Sequence, residues 1–317
     1  LKKLHRRIAF SLFLLLLIAT PLYACGAAAQ HPSSSAPQGS ADAASPGTGT
    51  RDATPQVLVP EASGAQVLGN DRVRIDASNV SQGYVMVRYS GDNPKVMVQI
   101  TRQGSATYTY ALSTSGDFEV FPFSDGDGEY IVNVYENIQG TSYSQAFGAT
   151  LTVALENEFL PYLYPNQYVN FTPESQAVAE GAALAAGASS DLDVVQRVYN
   201  YIIEHIAYDY DLAEDIPTGY LPHVDEVLAR GKGICFDYAA LSATMLRSQR
   251  IPTQLVVGYA GKAYHAWINV HIQGVGWVNK VIEFDGTAWV RMDPTFAASG
   301  SNAYVGDGTQ YNAMYFY

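Results

Sequence analysis

The sequence predicts an all-β sandwich followed by an α+β domain, and three observations carry that expectation. Apolar residues make up 48% of the 317 residues and charged residues 15%, enough to fill cores for two domains at roughly 100–200 residues each. From about Val67 to Leu155 the hydrophobic pattern repeats every second residue, between breaks rich in Gly, Asn and Asp. After Glu158 the period lengthens to that of helices and returns to strands only later. That order suits α+β better than alternating βαβ units.

The chain opens on Lys2, Lys3, Arg6 and Arg7, ahead of an almost wholly apolar run from Ile8 to Leu22. This run is short of the about 20 residues that span a membrane, so residues 1–24 are expected to be an export signal. The segment ends Leu22-Tyr23-Ala24-Cys25, which resembles the bacterial lipoprotein box and makes Cys25 the residue that takes lipid. Tyr23 departs from that box, where a small or aliphatic residue is usual. The alternative is an ordinary secretory signal with an incidental Cys. The first expectation is an exported, lipid-anchored protein on the outer side of the cell membrane. Gly26 to Gln56 holds no aromatic or branched aliphatic residue, so a flexible tether is expected over residues 25–66. About 40 such residues reach roughly 35 Å.

Net charge is −12, with 30 acids against 18 bases, and becomes more negative without the N-terminal bases. Such a chain is repelled by nucleic acid and by anionic headgroups, so nucleic acid is not an expected partner. Two cysteines in an exported chain also argue against a disulfide framework.

Within residues 67–156 the strand candidates are Tyr84–Tyr89, Val96–Ile100, Thr107–Tyr110, Glu129–Tyr135 and Ala149–Val153, part of a set of six or seven. Asp127-Gly128-Glu129-Tyr130 resembles the tyrosine corner of immunoglobulin-like sandwiches. No cluster of His, Cys or paired acids marks this half, so a spacer or docking role is expected of it.

Residues 157–317 carry the chemistry. Thr172-Pro173-Glu174 reads as a helix opening, with an N-cap hydroxyl and Pro in the first turn. Val194, Val195, Val198, Tyr199 and Ile202 recur at helical spacing across Asp191–His205, and a further helix covers Cys235–Ser248. Strands follow at Gln254–Tyr259, Tyr264–Val270 and Ala288–Met292. The tail ending Met314-Tyr315-Phe316-Tyr317 reads as an edge strand or a cover over the core.

Cys235 opens its helix behind Gly231-Lys232-Gly233. Unpaired N–H groups and the positive end of the dipole favour a thiolate there, and Lys232 adds charge of the right sign. His265 follows 30 residues later inside a strand, and Asp293 a further 28 residues on, beyond a strand and before Pro294. A thiol nucleophile needs a base, and the base needs an acceptor that fixes its tautomer. Cys235, His265 and Asp293 supply those groups. Tyr208-Asp209-Tyr210-Asp211 is better read as packing and turn chemistry than as an oxyanion donor. His205, His223 and His271 lack metal-ligand spacing. No cofactor or metal is expected.

Gly231-Lys232-Gly233-Ile234-Cys235-Phe236-Asp237-Tyr238-Ala239, Tyr264-His265-Ala266-Trp267 and Met292-Asp293-Pro294-Thr295-Phe296 together resemble the transglutaminase-like core of bacterial exported proteins. The resemblance covers about Glu158 to Ala298. It implies a papain-like fold and a Cys-His-Asp triad, with Cys235 as nucleophile, His265 as general base and later acid, and Asp293 as orienting carboxylate. It implies attack on an amide to give a thioester. Hydrolysis of extracellular protein or peptide amides is the first expectation, crosslinking to an amine acceptor the second, and a non-catalytic binding module the third.

Overall fold

Period-two alternation folds the first half into two antiparallel sheets. The computed structural model describes residues 51–260, 262–278, 282–284, 289–291 and 311–317. Its first strands are β1 (Val67–Gly69), β2 (Val73–Asp76), β3 (Tyr84–Tyr89), β4 (Val96–Arg102), β5 (Thr107–Leu112), β6 (Glu119–Pro122), β7 (Gly128–Gln139) and β8 (Ser142–Val153). They pair in the orders β1-β2-β3-β6 and β5-β4-β7-β8. β5 alternates strictly, burying Tyr108, Tyr110 and Leu112 and exposing Thr107, Thr109 and Ala111. β3 departs from alternation and is buried at all but Arg88, with Tyr164 covering Tyr84 at 4.8 Å between ring centroids. The expected tyrosine corner is present: the Tyr130 hydroxyl donates to the Gly126 carbonyl at 2.8 Å. β1, β2 and β6 span three or four residues each, too few for a periodic signal.

Residues 25–66 are expected to be a tether, but residues 51–56 are fastened to the second half and residues 61–66 to the sandwich. Arg51 Nε meets Asp191 Oδ1 at 2.6 Å, and its Nη2 donates to the Gln249 carbonyl. The Gln56 N–H donates to the Ser248 carbonyl at 2.8 Å. Arg250, held at a positive φ of 64°, reaches back to the Thr54 carbonyl at 2.6 Å. Small polar residues cannot build a core, but two guanidinium groups can clamp their carbonyls. Residues 51–66 are therefore a strap. Residues 1–24 and Cys25 lie outside the described residues.

The second half starts later than its first signal suggests. Thr172-Pro173-Glu174 is a turn, because Thr172 and Ser175 bond one another: the Thr172 N–H donates to Ser175 Oγ, and the Ser175 N–H to the Thr172 carbonyl, each at 3.1 Å. α1 (Gln176–Ala185) follows. α2 (Asp191–His205) has the expected bounds, with Ser190 as N-cap accepting from the Asp193 N–H. Then come β9 (Ala207–Tyr208), α3 (Tyr210–Glu214), α4 (Val224–Arg230), β10 (Lys232–Gly233) and α5 (Cys235–Arg247). The sheet of β11 (Thr253–Ala260), β12 (Ala263–Ile272), β13 (Gly276–Val278) and β16 (Tyr311–Phe316) has the order β13-β12-β11-β16. β14 (Ile282–Phe284) and β15 (Trp289–Arg291) form a separate antiparallel pair.

α5 packs against α1, α2 and α4 on one side and against β11 and β12 on the other. It is buried from Asp237 to Arg247, its polar residues included. The tail is both edge strand and cover: β16 pairs with β11, and Tyr317 sets its ring against Tyr108, Tyr110 and Tyr168. Sandwich and core share that aromatic joint.

Candidate active site

Three backbone devices deliver Cys235. β10 pairs in parallel with β9, so the Gly231-Lys232-Gly233 loop is pinned to the end of α2. Gly231 ends α4 in the left-handed region at φ 61°, where an L side chain is strained. At Gly233 a Cβ would come within 2.7 Å of Asp237 Cβ, so only glycine allows the chain this close. Cys235 is then the first residue of α5, partly exposed, with the unpaired N–H groups of the helix start around it.

His265 sits in β12 opposite Gly258 of β11 and is 6% exposed. Trp267 lies on the same face, near-parallel to the imidazole at 6.3 Å, with the Tyr311 ring edge-on to it at 5.1 Å. Trp267 is buried and packs beneath the site. Cys235 and His265 line one cavity of about 410 Å³. The rest of its wall is mostly aromatic or apolar, including Tyr168, Phe236, Tyr264 and Tyr317, and Ala111 of β5 contributes from the sandwich. Asp293 lies outside the described residues.

Lys232 does not act as free charge beside the thiol. Its Nζ is 3.0 Å from Asp209 Oδ2. That ion pair, with an N–H bond from Leu212, holds the Asp209 carboxyl below its usual range, the Lys232 bond being the largest cause. Tyr208 packs on Tyr210 and Tyr238, and Asp209 caps α3, so this run does turn and packing work. His205 stacks on Tyr201, and His271 lies between Phe159 and Trp277. Among the described residues no three His, Cys, Asp or Glu side chains are grouped to hold a metal.

The pair Tyr220 and Asp237 escapes a reading by sequence. Asp237 is fully buried at the third position of α5, where its Oδ2 accepts the Ile234 N–H at 2.9 Å and caps the helix. Its Oδ1 accepts the Tyr220 hydroxyl at 2.8 Å, and Tyr220 lines the cavity. Burial raises the Asp237 carboxyl, and burial together with Asp237 pushes the Tyr220 hydroxyl up to about 12, so Tyr220 keeps its proton. The N3 acid was the available signal for Asp237. Tyr220 lies in an irregular loop with no period to reveal it.

Asp237→Ala leaves the Ile234 N–H and the Tyr220 hydroxyl without their acceptor. The expected loss is about 2–4 kcal/mol in denaturant unfolding, with most of it restored by Asp237→Asn. An acid raised in the fold binds its proton more tightly there than in the unfolded chain. Its contribution to stability therefore falls as pH climbs from the ordinary carboxylate value through the folded one, and Asp237→Asn removes that slope. A stable Asp237→Ala protein would show that the carboxylate is dispensable.

Comparison with known structures finds distant likenesses. A candidate cysteine protease from Cytophaga hutchinsonii is 12% identical, with 80% of this chain and 84% of that one covered and a TM-score of 0.37. A candidate protease from Parabacteroides distasonis is 15% identical over 57% of this chain and 37% of that one, TM-score 0.29. Red sea bream transglutaminase is 11% identical over 68% and 53%, TM-score 0.26. A search of curated proteins finds no match. Residues 179–294, a span that includes Cys235, His265 and Asp293, match the model of the transglutaminase-like superfamily. The chain is thus α+β, with a transglutaminase-like core behind an all-β sandwich.

Proposed function

We propose that the protein is a cysteine acyl-transfer enzyme that attacks protein or peptide amides and hydrolyses them. The supporting observation is that Cys235, at a helix start, and His265, on a strand, line one cavity. His265 takes the thiol proton as Cys235 Sγ attacks the amide carbonyl, and the oxyanion is met by N–H groups at the start of α5. His265 then gives that proton to the leaving amine as the C–N bond breaks, which leaves a thioester on Cys235. Water, deprotonated by His265, releases the acid and regenerates the thiol. Asp293 is assigned the task of orienting the imidazole.

Water is favoured over an amine as acceptor because the nucleophile has a route to solvent. Cys235 is partly exposed, and Tyr264 on the cavity wall is 61% exposed. The deciding experiment incubates the full chain with a peptide amide, with and without a primary amine, and follows the products and the mass of the Cys235 peptide by mass spectrometry. Free acid in both arms, with a transient acyl adduct on Cys235, is expected. Incorporation of the amine in place of acid would make the protein a crosslinker, and a Cys235 that never carries acyl would end the enzyme reading.

The proposal extends to location: export by residues 1–24 and a lipid on Cys25 that holds the protein to the outer side of the membrane. Its support is the sequence pattern; among the described residues no helix is long and apolar enough to cross a membrane. Partition between detergent and aqueous phases tests the anchor, and a protein found wholly in the aqueous phase would remove it.

A further inference from the structure

The active-site cavity shares a wall with a second cavity of about 300 Å³. Gln167 and Leu221 line both, so the two adjoin as the arms of a groove. Cys235 and His265 line one arm, and Val57, Leu58, Val59 and Pro60 of the strap line the other.

Two successive side chains beside this groove are left half-satisfied, in opposite senses. Gln167 is 7% exposed and donates Nε2 to the Ala111 carbonyl at 2.6 Å and to Glu119 Oε2 at 3.0 Å. Those bonds fix the orientation of its amide and leave Oε1 buried with no partner. Asn166 is 3% exposed, and its Oδ1 accepts the N–H groups of Tyr168 and Val169, each at 3.0 Å. Its Nδ2 is therefore the buried group without a partner. Native interiors rarely leave such groups unpaired, and an acceptor beside a donor is the complement of a peptide unit.

The strap adds to this. Among the described residues none hydrogen-bonds the backbone of residues 57–60, although the strap is bonded on either side, at Gln56 and at Glu61. Charge does not distinguish the occupant. Glu119 is the one charged side chain lining either cavity among the described residues, and it already accepts from Gln167 and from the Ser113 N–H. What remains for recognition is apolar surface and main-chain hydrogen bonding, which any extended polypeptide offers.

We propose that this groove binds the main chain of an extended polypeptide, with Gln167 Oε1 accepting an N–H and Asn166 Nδ2 donating to a carbonyl, and leads it to Cys235. Delivery to Cys235 rests on the acyl-transfer reading; binding does not. Both free groups are buried, so the occupant reaches them by displacing a wall, and the least bonded wall is the strap at residues 57–60.

The test separates binding from turnover. The full chain carrying Cys235→Ala is titrated by fluorescence anisotropy with labelled oligomers of alanine and leucine, from a single-residue amide to a nonapeptide. Affinity is expected to rise with length. Asn166→Asp keeps the Oδ1 bonds but puts an acceptor where the free donor was. It is expected to weaken the nonapeptide about 5–10-fold and leave the single-residue amide unchanged. N-methylation of the nonapeptide, one position at a time, needs no change in the groove and reads the Gln167 bond as a comparable loss at one position. It decides the matter if Asn166→Asp fails to fold. Affinity independent of length, or a nonapeptide indifferent to N-methylation at every position, overturns the groove. An acyl adduct on Cys235 with no length-dependent binding would sink the groove and spare the chemistry; the reverse result would do the opposite.

Discussion

Cys235→Ala is expected to abolish turnover, lowering kcat by about four to six orders of magnitude, while the melting temperature barely moves. No other thiol lies among the described residues, and a methyl group cannot form the thioester. The side chain is partly exposed at the first position of α5, where alanine is well tolerated and keeps the Cβ of a residue that only borders the core. His265→Ala is expected to match it in kcat, since base and nucleophile act as a unit. Asp293→Asn is expected to cost about 10²–10⁴ in kcat by presenting a donor where an acceptor is needed. Residual turnover near wild type in Cys235→Ala would remove the nucleophile. A melting temperature that collapses along with activity in Asp293→Asn would make that residue structural.

Arg247→Met is expected to cost about 3–5 kcal/mol, the largest effect on stability of any substitution away from the cleft. Arg247 is 1% exposed at the end of α5, and its guanidinium donates to three carbonyls: Thr253 at 2.8 and 3.0 Å, Tyr164 at 2.7 Å and Tyr317 at 2.7 Å. Burial pulls its pKa down to about 9, far below that of a free arginine. Methionine fills similar volume but leaves three carbonyls without that donor, one each from the β3 cover, the start of β11 and the tail. Arg247→Lys is expected to recover little, because one ammonium cannot span three acceptors in a planar fork. Urea denaturation measures both. A Met variant within about 1 kcal/mol of wild type would mean that water takes over the carbonyls.

What the sequence disclosed depended on how local the cause was. β4, β5 and β7 were legible because each runs for six residues or more with one buried face, and α2 because its apolar stripe and Ser190 cap are contiguous. Cys235 and His265 were legible because each stands in a distinctive short phrase, and the fold brings both to one cavity. Lys232 misled, since its neighbour in sequence is Cys235 but its partner in space is Asp209. The strap is hard to read because its bonds come from Arg51 and Arg250, 199 positions apart, while its composition up to Gln56 is that of a linker. Tyr220 is illegible for the same reason: its importance lies in its bond to buried Asp237, 17 residues away in sequence.

The aromatic joint made by Tyr317 has a consequence for the order of assembly. Tyr317 lines the cleft and packs on Tyr108 and Tyr110 of β5, and the Phe316 N–H reaches the Tyr108 hydroxyl, 208 residues away along the chain. The strap closes a second loop of similar length, 198 residues from Arg51 to Gln249. Closing loops of that size costs entropy before it returns any contact, so the last step of folding is slow by topology. A ribosome releasing this chain from its N-terminus frees Cys235 before His265 and Tyr317, which complete a wall begun by Ala111, Tyr168 and Tyr220. The cavity around the thiol is thus complete only once Tyr317 is in place, and a chain cut short of Tyr317 holds Cys235 without that part of the wall.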